Sequence, residues 1–219
     1  MRAQRLSFAG GCGFECPIRY NQRSGLTGDF VTPEQEIPVS GGHHLFEACQ
    51  TTNWSWAFKP DDLVKPAREL LRQLLFCACR GGNLLLNVAP DPDGNVRWDQ
   101  ARPLIEVGEW LLHYGAPIYR AKRELPDWWD HASFGRILCD GSTAWMAVNH
   151  WPQGGYIDCG MIANQVHSAR LIGDEDRPLT VTRVGRRVHI AGLPEWPPST
   201  LLNLIELELD GPVREQRYF

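Results

Sequence analysis

One segment of the chain, residues 66–115, limits the folds that this sequence can adopt. From Pro66 to Arg80, apolar residues recur three and four positions apart, which predicts an amphipathic helix, and Gly81-Gly82 provides a left-handed stop. The run NLLLNV at 83–88 has the continuous apolar character of a strand that is buried on both faces. With a second helix after the APDPDG turn, the order helix, strand, helix indicates an α/β layer or barrel with a parallel sheet.

The second helix is predicted from a cap and an apolar face. Asp99 stands where a side-chain cap would accept the first free backbone N–H groups, and Gly115 is expected to end the helix. Pro103 is tolerated because it lies near the first turn. The residues expected to face inward are Leu104, Ile105, Val107, Leu111 and Leu112.

A different pattern begins after Tyr119. Short apolar runs follow at nearly regular spacing, and turn sequences such as DGS, PQGG and GDEDRP separate them. This spacing predicts an antiparallel β-sandwich from about residue 130 to 210, with the boundary to the α/β part within 120–132. The predicted strands are FGRILC, TAWMAVN, YIDCG, VHSARLI, LTVTR, RVHIAG and LLNLIELEL.

Charge and hydropathy exclude several classes of partner. The formal charge is −4, from 22 basic and 26 acidic residues, and no dense Lys/Arg run is present, so we expect neither nucleic acid nor a membrane as a partner. No apolar run reaches about 18 residues, and the start lacks a signal-peptide core, so neither a membrane span nor a signal peptide is predicted in this chain. The compartment stays open. Nine tryptophans in a chain rich in Gly and Pro are common where sugars stack on aromatic rings.

The sequence gives little support for a metal or cofactor site. Cys12 and Cys16 lack a second pair with ligand spacing, and we expect the seven cysteines to be mostly buried thiols. His43 and His44 are adjacent but lack the glutamate spacing of zinc-protease motifs. Phosphate-loop, dinucleotide and serine-hydrolase motifs are absent, so the sequence does not support a phosphate-binding, dinucleotide-binding or serine-hydrolase function.

Three glutamates are candidates for acid–base chemistry. Glu34 and Glu36 lie between two prolines in GDFVTPEQEIP; an extended chain would place both on one side of a substrate, and the residues alone favour two solvated loop carboxylates over a catalytic acid. Glu47 lies among aromatic residues and is either an acid with a raised pKa or a carboxylate satisfied by backbone donors. Asn87 ends the predicted strand, where a functional role or a structural hydrogen bond is possible.

Four blocks of this sequence, taken together, resemble the α-L-fucosidases of glycoside hydrolase family 29. They are GDFVTPEQEIP, FEACQTTNWSWAF, ARELLRQLLFCACRGGNLLLNVAPDPDG and IEVGEWLLHYGAPIY. The β-rich tail is also similar, so the resemblance covers roughly residues 18–210. It implies an α/β plus all-β fold: residues 1–125 as the C-terminal part of a (β/α) TIM-like barrel and residues 126–219 as a β-sandwich.

The resemblance also implies a function and site residues. The family members are retaining enzymes that release terminal L-fucose from fucosylated glycans, without a cofactor, through an Asp nucleophile and a Glu acid/base. The position that matches the acid/base is Glu34. Arg23 matches an arginine that reaches the sugar, and Trp56 matches the aromatic residue that lines the fucose pocket. The oligomeric state is not implied.

The chain also departs from the family pattern. Phe46, Ala57 and Phe58 replace family Trp, Gly and Tyr residues, and no segment resembles the earlier barrel strand that carries the nucleophile. We therefore expect this chain to be a truncated fucosidase that is inactive alone, because the two-step route needs the nucleophile. A non-catalytic fucose- or carbohydrate-binding protein derived from a fucosidase is the alternative.

Overall fold

The first part of the fold is a small parallel sheet, seen in a computed structural model that describes residues 30–38, 45–121 and 134–216. Strand β1 (Phe30–Val31) pairs with β2 (Leu45–Thr51), and β2 pairs with β3 (Asn83–Asn87), both in parallel. Because the strands are parallel, their carboxyl ends meet at one edge of the sheet, where α/β sheets commonly bind ligands.

Helix α1 (Ala67–Cys79) connects β2 to β3 and covers one face of this sheet. The predicted stop is confirmed, since Gly81 has a φ of 71°. A Cβ atom at Gly82 would lie 2.1 Å from the Phe46 ring, so only glycine allows the helix end to approach the strand this closely. The opposite face of β3 is less covered, because Leu85 is 50% exposed. The expectation of burial on both faces was therefore wrong for this strand.

The remaining helices follow β3. Helix α2 (Trp98–Tyr114) begins after Arg97 and ends at Gly115, and the short α3 (Ala116–Arg120) follows at once. Contrary to the prediction, Asp99 is not the N-cap of α2, because Arg97 occupies that position. Asp99 lies in the first turn, where a carboxylate favours the positive end of the helix dipole, and it binds the Arg97 guanidinium at 2.6 Å.

The predicted inner face of α2 was partly wrong. Ile105 is 47% exposed and Leu112 is 84% exposed, whereas Gln100 and Trp110 are buried. The buried face is therefore a stripe along the helix that contains Gln100, Val107 and Trp110, at the spacing of about 3.6 residues per turn. The polar Gln100 is part of this stripe. Hydropathy alone could not reveal that stripe, because a glutamine marks its beginning.

All seven predicted strands of the β-rich part are confirmed, and they form two antiparallel sheets. The four-stranded sheet has the order β4 (Gly135–Asp140), β5 (Thr143–Val148), β10 (Asn203–Leu209) and β7 (Val166–Leu171). The second sheet has the order β6 (Tyr156–Cys159), β9 (Arg187–Ala191) and β8 (Thr180–Val184). Their inner faces share one apolar core, as in a β-sandwich.

Strands β4 and β5 of the four-stranded sheet are buried on both faces. Ile137 and Met146 point into the sandwich core, whereas Leu138 and Trp145 pack against α1, α2 and α3. Trp110 of α2 donates from Nε1 to the backbone oxygen of Leu202 at 2.9 Å, which ties the helices to the loop before β10. The sheet is therefore the middle layer between the helices and the second sheet.

The thiols in the described part of the chain behave as packing groups. Cys77, Cys139 and Cys159 are buried, and desolvation by burial raises the pKa of the Cys77 and Cys79 thiols to about 12. A thiol with so high a pKa is a poor nucleophile at neutral pH. Cys12 and Cys16 lie outside the described residues, as do His43 and His44. In the described ranges, no helix has both the length and the apolar character that crossing a membrane requires.

Candidate functional site

Glu34 lies beside the carboxyl-terminal half of β2. It forms an isolated parallel bridge with Cys49: the Gln35 N–H donates to the Cys49 oxygen at 2.8 Å, and the Cys49 N–H donates to the Pro33 oxygen at 2.9 Å. These two backbone bonds fix the position of Glu34 on the sheet, although its own side chain is exposed. The glutamate is therefore part of a hydrogen-bonded strand edge rather than of a free polar turn.

The face on which Glu34 lies is opposite to helix α1. Residues paired across a parallel sheet share a face, so Glu34, Cys49 and Leu85 form one row across the three strands. Glu47, paired with Asn83, lies on the same face and is half-buried. Two carboxylates thus stand on the sheet face that the helices leave open.

The residue after Glu34 has an unusual backbone. Gln35 adopts the left-handed region with a φ of 55°, which costs a non-glycine residue roughly 1–2 kcal/mol. Its Nε2 atom donates to Thr51 Oγ1 at 3.0 Å, so the end of β2 holds the turn in this conformation. Backbone strain that the surroundings maintain is common at binding and catalytic sites.

A buried lysine also contacts the end of β2. Lys65 is 7% exposed, and its Nζ atom donates to the backbone oxygen of Thr51 at 2.7 Å. The same atom lies 5.6 Å from the centre of the Trp54 ring. Desolvation lowers the pKa of Lys65, and the nearby Glu69 carboxylate opposes this effect. Lys65 thus joins the strand end to the aromatic loop that follows it.

A carboxylate fixes the backbone of that loop. Asp62 accepts hydrogen bonds from Asn53 Nδ2 at 2.6 Å and from the Ser55 N–H at 2.8 Å, both on Oδ2. Desolvation raises the pKa of Asp62, but these hydrogen bonds and the charge of Lys59 lower it more, and the result is a pKa below the usual value. The ionised carboxylate therefore closes residues 53–62 into a defined loop.

The loop carries two tryptophans at the carboxyl end of the sheet. Trp54 is 71% exposed and Trp56 is 41% exposed. Asn87, the last residue of β3, donates from Nδ2 to the backbone oxygen of Trp56 at 3.0 Å, so Asn87 has a structural hydrogen bond. Exposed indole rings on a fixed backbone offer flat apolar faces, which bind the C–H faces of sugars.

The buried side-chain amide of Gln100 forms hydrogen bonds to residues at the carboxyl-end edge of the parallel sheet. Gln100 of α2 accepts from the Thr52 hydroxyl at 3.2 Å and from the Ala89 N–H at 3.0 Å, and it donates to the Ala89 oxygen at 3.0 Å. It therefore satisfies polar groups after both β2 and β3. The carboxyl ends of these strands form one connected, mostly buried polar layer beneath the exposed tryptophans.

The candidate site residues from the sequence have different outcomes. Glu34 lies on the sheet in a bridge with Cys49, Trp56 lies in the loop at the carboxyl end of β2, and Glu36 is exposed in the same segment as Glu34. Arg23 lies outside the described residues, so its expected contact with the sugar stays a prediction. Sequence reasoning missed Asp62 and Lys65, because their partners are several residues away and no motif spacing marks them.

A cleft of about 420 Å³ lies elsewhere, between α2 and the loop at 198–201. Its walls include Glu109, His113 and Tyr114 of α2. The polar layer and the tryptophan loop belong to the other end of the βα unit, so the cleft is not part of the candidate site.

Comparison with known proteins identifies a related family. Residues 17–116 match the family model described as alpha-L-fucosidase. The human tissue alpha-L-fucosidase is 27% identical over 169 residues, which is 75% of this chain and 36% of that protein. An alpha-L-fucosidase from Dictyostelium discoideum is 32% identical over 96 residues, which is 42% of this chain and 21% of that protein.

Solved structures have the same fold over most of the chain. Alpha-L-fucosidase isoenzyme 1 from Paenibacillus thiaminolyticus superimposes with a TM-score of 0.74 and 26% identity, over 84% of this chain and 45% of that one. The Thermotoga maritima alpha-fucosidase, in complex with a mechanism-based inhibitor, gives a TM-score of 0.72 at 22% identity, over 87% of this chain and 45% of that one. The chain thus resembles the C-terminal part of the α-L-fucosidases, and it spans 36% of the length of the human relative.

Proposed function

We propose that this chain, which resembles the C-terminal part of the α-L-fucosidases, forms that part of a retaining glycoside hydrolase that releases terminal L-fucose from fucosylated glycans. In this proposal residues 1–125 are the last elements of a (β/α) barrel and residues 126–219 are a sandwich domain. The observation that carries the proposal is the arrangement at the carboxyl end of the parallel strands, where a strand-bound glutamate is part of the same hydrogen-bonded edge as an exposed tryptophan loop.

Glu34 is the acid/base in this proposal. Its protonated carboxyl group would donate a proton to the glycosidic oxygen as the bond to fucose breaks. The resulting carboxylate would then take a proton from the water that cleaves the fucosyl–enzyme ester. Two features support the role: the backbone bonds to Cys49 fix the residue, and the strained Gln35 turn positions it.

The partner carboxylate must approach from the other side of the sugar. Glu47 shares the sheet face with Glu34, in the adjacent strand and two residues away in register, so the two Cα atoms are about 8 Å apart and both side chains approach from one side. Retaining enzymes need carboxyl groups that flank the bond, about 5–5.5 Å apart. We therefore place the nucleophile outside the described residues. A Bacteroides thetaiotaomicron alpha-L-fucosidase has been trapped as a covalent intermediate.

Trp56 and Arg23 complete the fucose contacts in this proposal. The indole of Trp56 would stack on the apolar side of fucose that carries its methyl group, and the guanidinium of Arg23 would donate to sugar hydroxyls. The hydrogen bond from Asn87 to the Trp56 backbone supports a fixed ring position.

A non-catalytic fucose-binding protein is the second candidate function. The observation that favours it is that Glu34 and Glu47 lie on the same face of the parallel sheet and therefore do not flank a substrate. For the 219-residue chain both candidates predict binding of L-fucose without turnover, measured by NMR titration and by an assay with an aryl α-L-fucoside, and turnover would show that the chain holds its own nucleophile. The hybrid enzyme described next separates them: it is active if this chain supplies the acid/base, and it binds L-fucose without turnover if the chain is a binding protein only.

The role of Glu34 is tested in an active hybrid that joins this chain to the nucleophile-bearing part of the Paenibacillus enzyme. Glu34→Ala should slow cleavage of fucosides with poor leaving groups by about 10²- to 10⁴-fold and that of nitrophenyl fucosides much less, because only poor leaving groups need the proton. Glu36→Ala, an exposed carboxylate two residues away, is the matched control and should be nearly silent. Equal losses on both substrates would remove Glu34 from the acid role.

A further inference from the structure

Trp54 is the more exposed of the two loop tryptophans, yet it is held in place. Trp54 is 71% exposed, whereas the nearby Trp56 is 41% exposed. Large aromatic rings that stay exposed next to a polar site commonly mark a ligand-binding surface. Neither the acid/base chemistry nor the fucose contact described above uses this ring.

We propose that Trp54 is a second stacking surface, which binds the pyranose unit to which the fucose is attached. The inference rests on the proposed function, because it assigns a specificity-determining residue to the same site. Its ligand class is the neutral sugar of the leaving group, whose C–H face lies flat on the indole.

Contacts from two directions fix the ring in advance of binding. The buried ammonium of Lys65 lies 5.6 Å from the ring centre, which is within the range of a cation–π interaction. The carboxylate of Asp62 fixes the residues on both sides, through the Asn53 side chain and the Ser55 N–H. A ring that is already ordered loses little conformational freedom when a sugar binds to it.

The position of Trp54 also fits an adjoining sugar. Trp54 and Trp56 are two residues apart in a segment that Asp62 fixes at one side and Asn87 at the other. If fucose occupies Trp56, the other ring remains available for the next unit of the same glycan. One rigid loop then contacts both sugars of a disaccharide.

The test compares two ligands on the 219-residue chain by NMR titration. The ligands are L-fucose and the trisaccharide 2′-fucosyllactose, in which fucose is linked to galactose. The unaltered chain should bind the trisaccharide about threefold to tenfold more tightly than L-fucose, the gain expected from one stacked ring. Trp54→Ala should abolish this gain and leave the affinity for L-fucose unchanged, and Trp54→Phe should keep most of it.

Two further substitutions control the result. Trp196→Ala removes an indole that is 77% exposed in the loop before β10, and it should change neither affinity. Lys65→Met removes the cation beneath Trp54 and should reduce the trisaccharide gain, whereas Lys59→Met, in the same loop but exposed, should not. Thermal unfolding of each variant in one cooperative transition shows that the chain used in the titration is folded.

Each outcome of these titrations either supports or overturns the stacking role of Trp54. The inference is overturned if the unaltered chain binds L-fucose but gains nothing from the trisaccharide, or if Trp54→Ala weakens both ligands equally. A chain that binds neither ligand also overturns this inference, whereas the proposed function is decided separately by the activity of the hybrid enzyme. Loss of the gain in Trp54→Ala alone, with rescue by Trp54→Phe, supports the stacking role.

Discussion

Two of the three sheets in the described residues use similar apolar sequences in different surroundings. In the four-stranded antiparallel sheet, Trp145 is fully buried between helices and sandwich core, at 0% exposure. In the three-stranded parallel sheet, Leu85 belongs to an equally apolar run but is 50% exposed, because only one face is covered by α1. The four-stranded antiparallel sheet stabilises the fold. At the parallel sheet, the open face and the carboxyl-end edge are where polar and aromatic residues are available for binding.

The two sheets also differ in the interactions that hold the residues around them in place. At the antiparallel sheet, one apolar cluster joins α1, α2, β4, β5 and the start of β10. At the parallel sheet, hydrogen bonds that Gln35 and Lys65 donate and that Asp62 accepts hold the loops. We therefore expect substitutions in the first region to change global stability and those in the second to change mainly the site.

Truncation of Trp145 should have the largest effect. Trp145→Ala removes a buried ring and its hydrogen bond from Nε1 to Glu206 at 2.8 Å, and it should lower the free energy of unfolding by about 3–5 kcal/mol. The matched change on the open sheet, Leu85→Ala, should cost less than about 1 kcal/mol. Denaturant unfolding of both variants measures the contrast, and similar losses would contradict the comparison.

A smaller effect is expected where the parallel sheet is itself tightly packed. Gly82→Ala would force a methyl group to within 2.1 Å of the Phe46 ring, and it should destabilise the chain by about 1–3 kcal/mol. Gly108→Ala, inside α2 and with no atom other than those of the adjacent helix backbone within 4 Å of the new methyl group, should instead stabilise it by about 0.5–1 kcal/mol. Thermal unfolding checks the signs, and a neutral Gly82→Ala would show that α1 and β2 are loosely packed.

The smallest effect concerns pH and Glu206. Desolvation raises the pKa of this carboxyl group, but hydrogen bonds from Trp145 and Arg170 outweigh it and hold the pKa below 4.5. The ionised group therefore contributes stability above pH 4.5, and this contribution is lost as the pH falls through the folded-state pKa. In urea titrations at several pH values, the stability difference between the unaltered chain and Glu206→Gln should shrink on acidification. An unchanged difference would mean that the Trp145 hydrogen bond does not depend on the charge.

Local patterns predicted most of the elements because they depend on neighbours in the sequence. Helix α1, its stop at Gly81 and the seven β-rich strands follow from periodicity and turn residues. The inner face of α2 was partly mispredicted, since Gln100 is buried to satisfy polar groups after β2 and β3. Such a role depends on partners that are distant in sequence.

The order of helices and strands, the resemblance to the fucosidases and the choice of Glu34 and Trp56 as candidates all follow from the amino-acid sequence. The pairing of Glu34 with Cys49, the position of Lys65 next to the Trp54 ring and the exposed face of β3 became visible only in the folded chain. Periodicity reports contacts within a few residues, whereas these features arise from strand pairing and layer packing between residues that are distant along the chain.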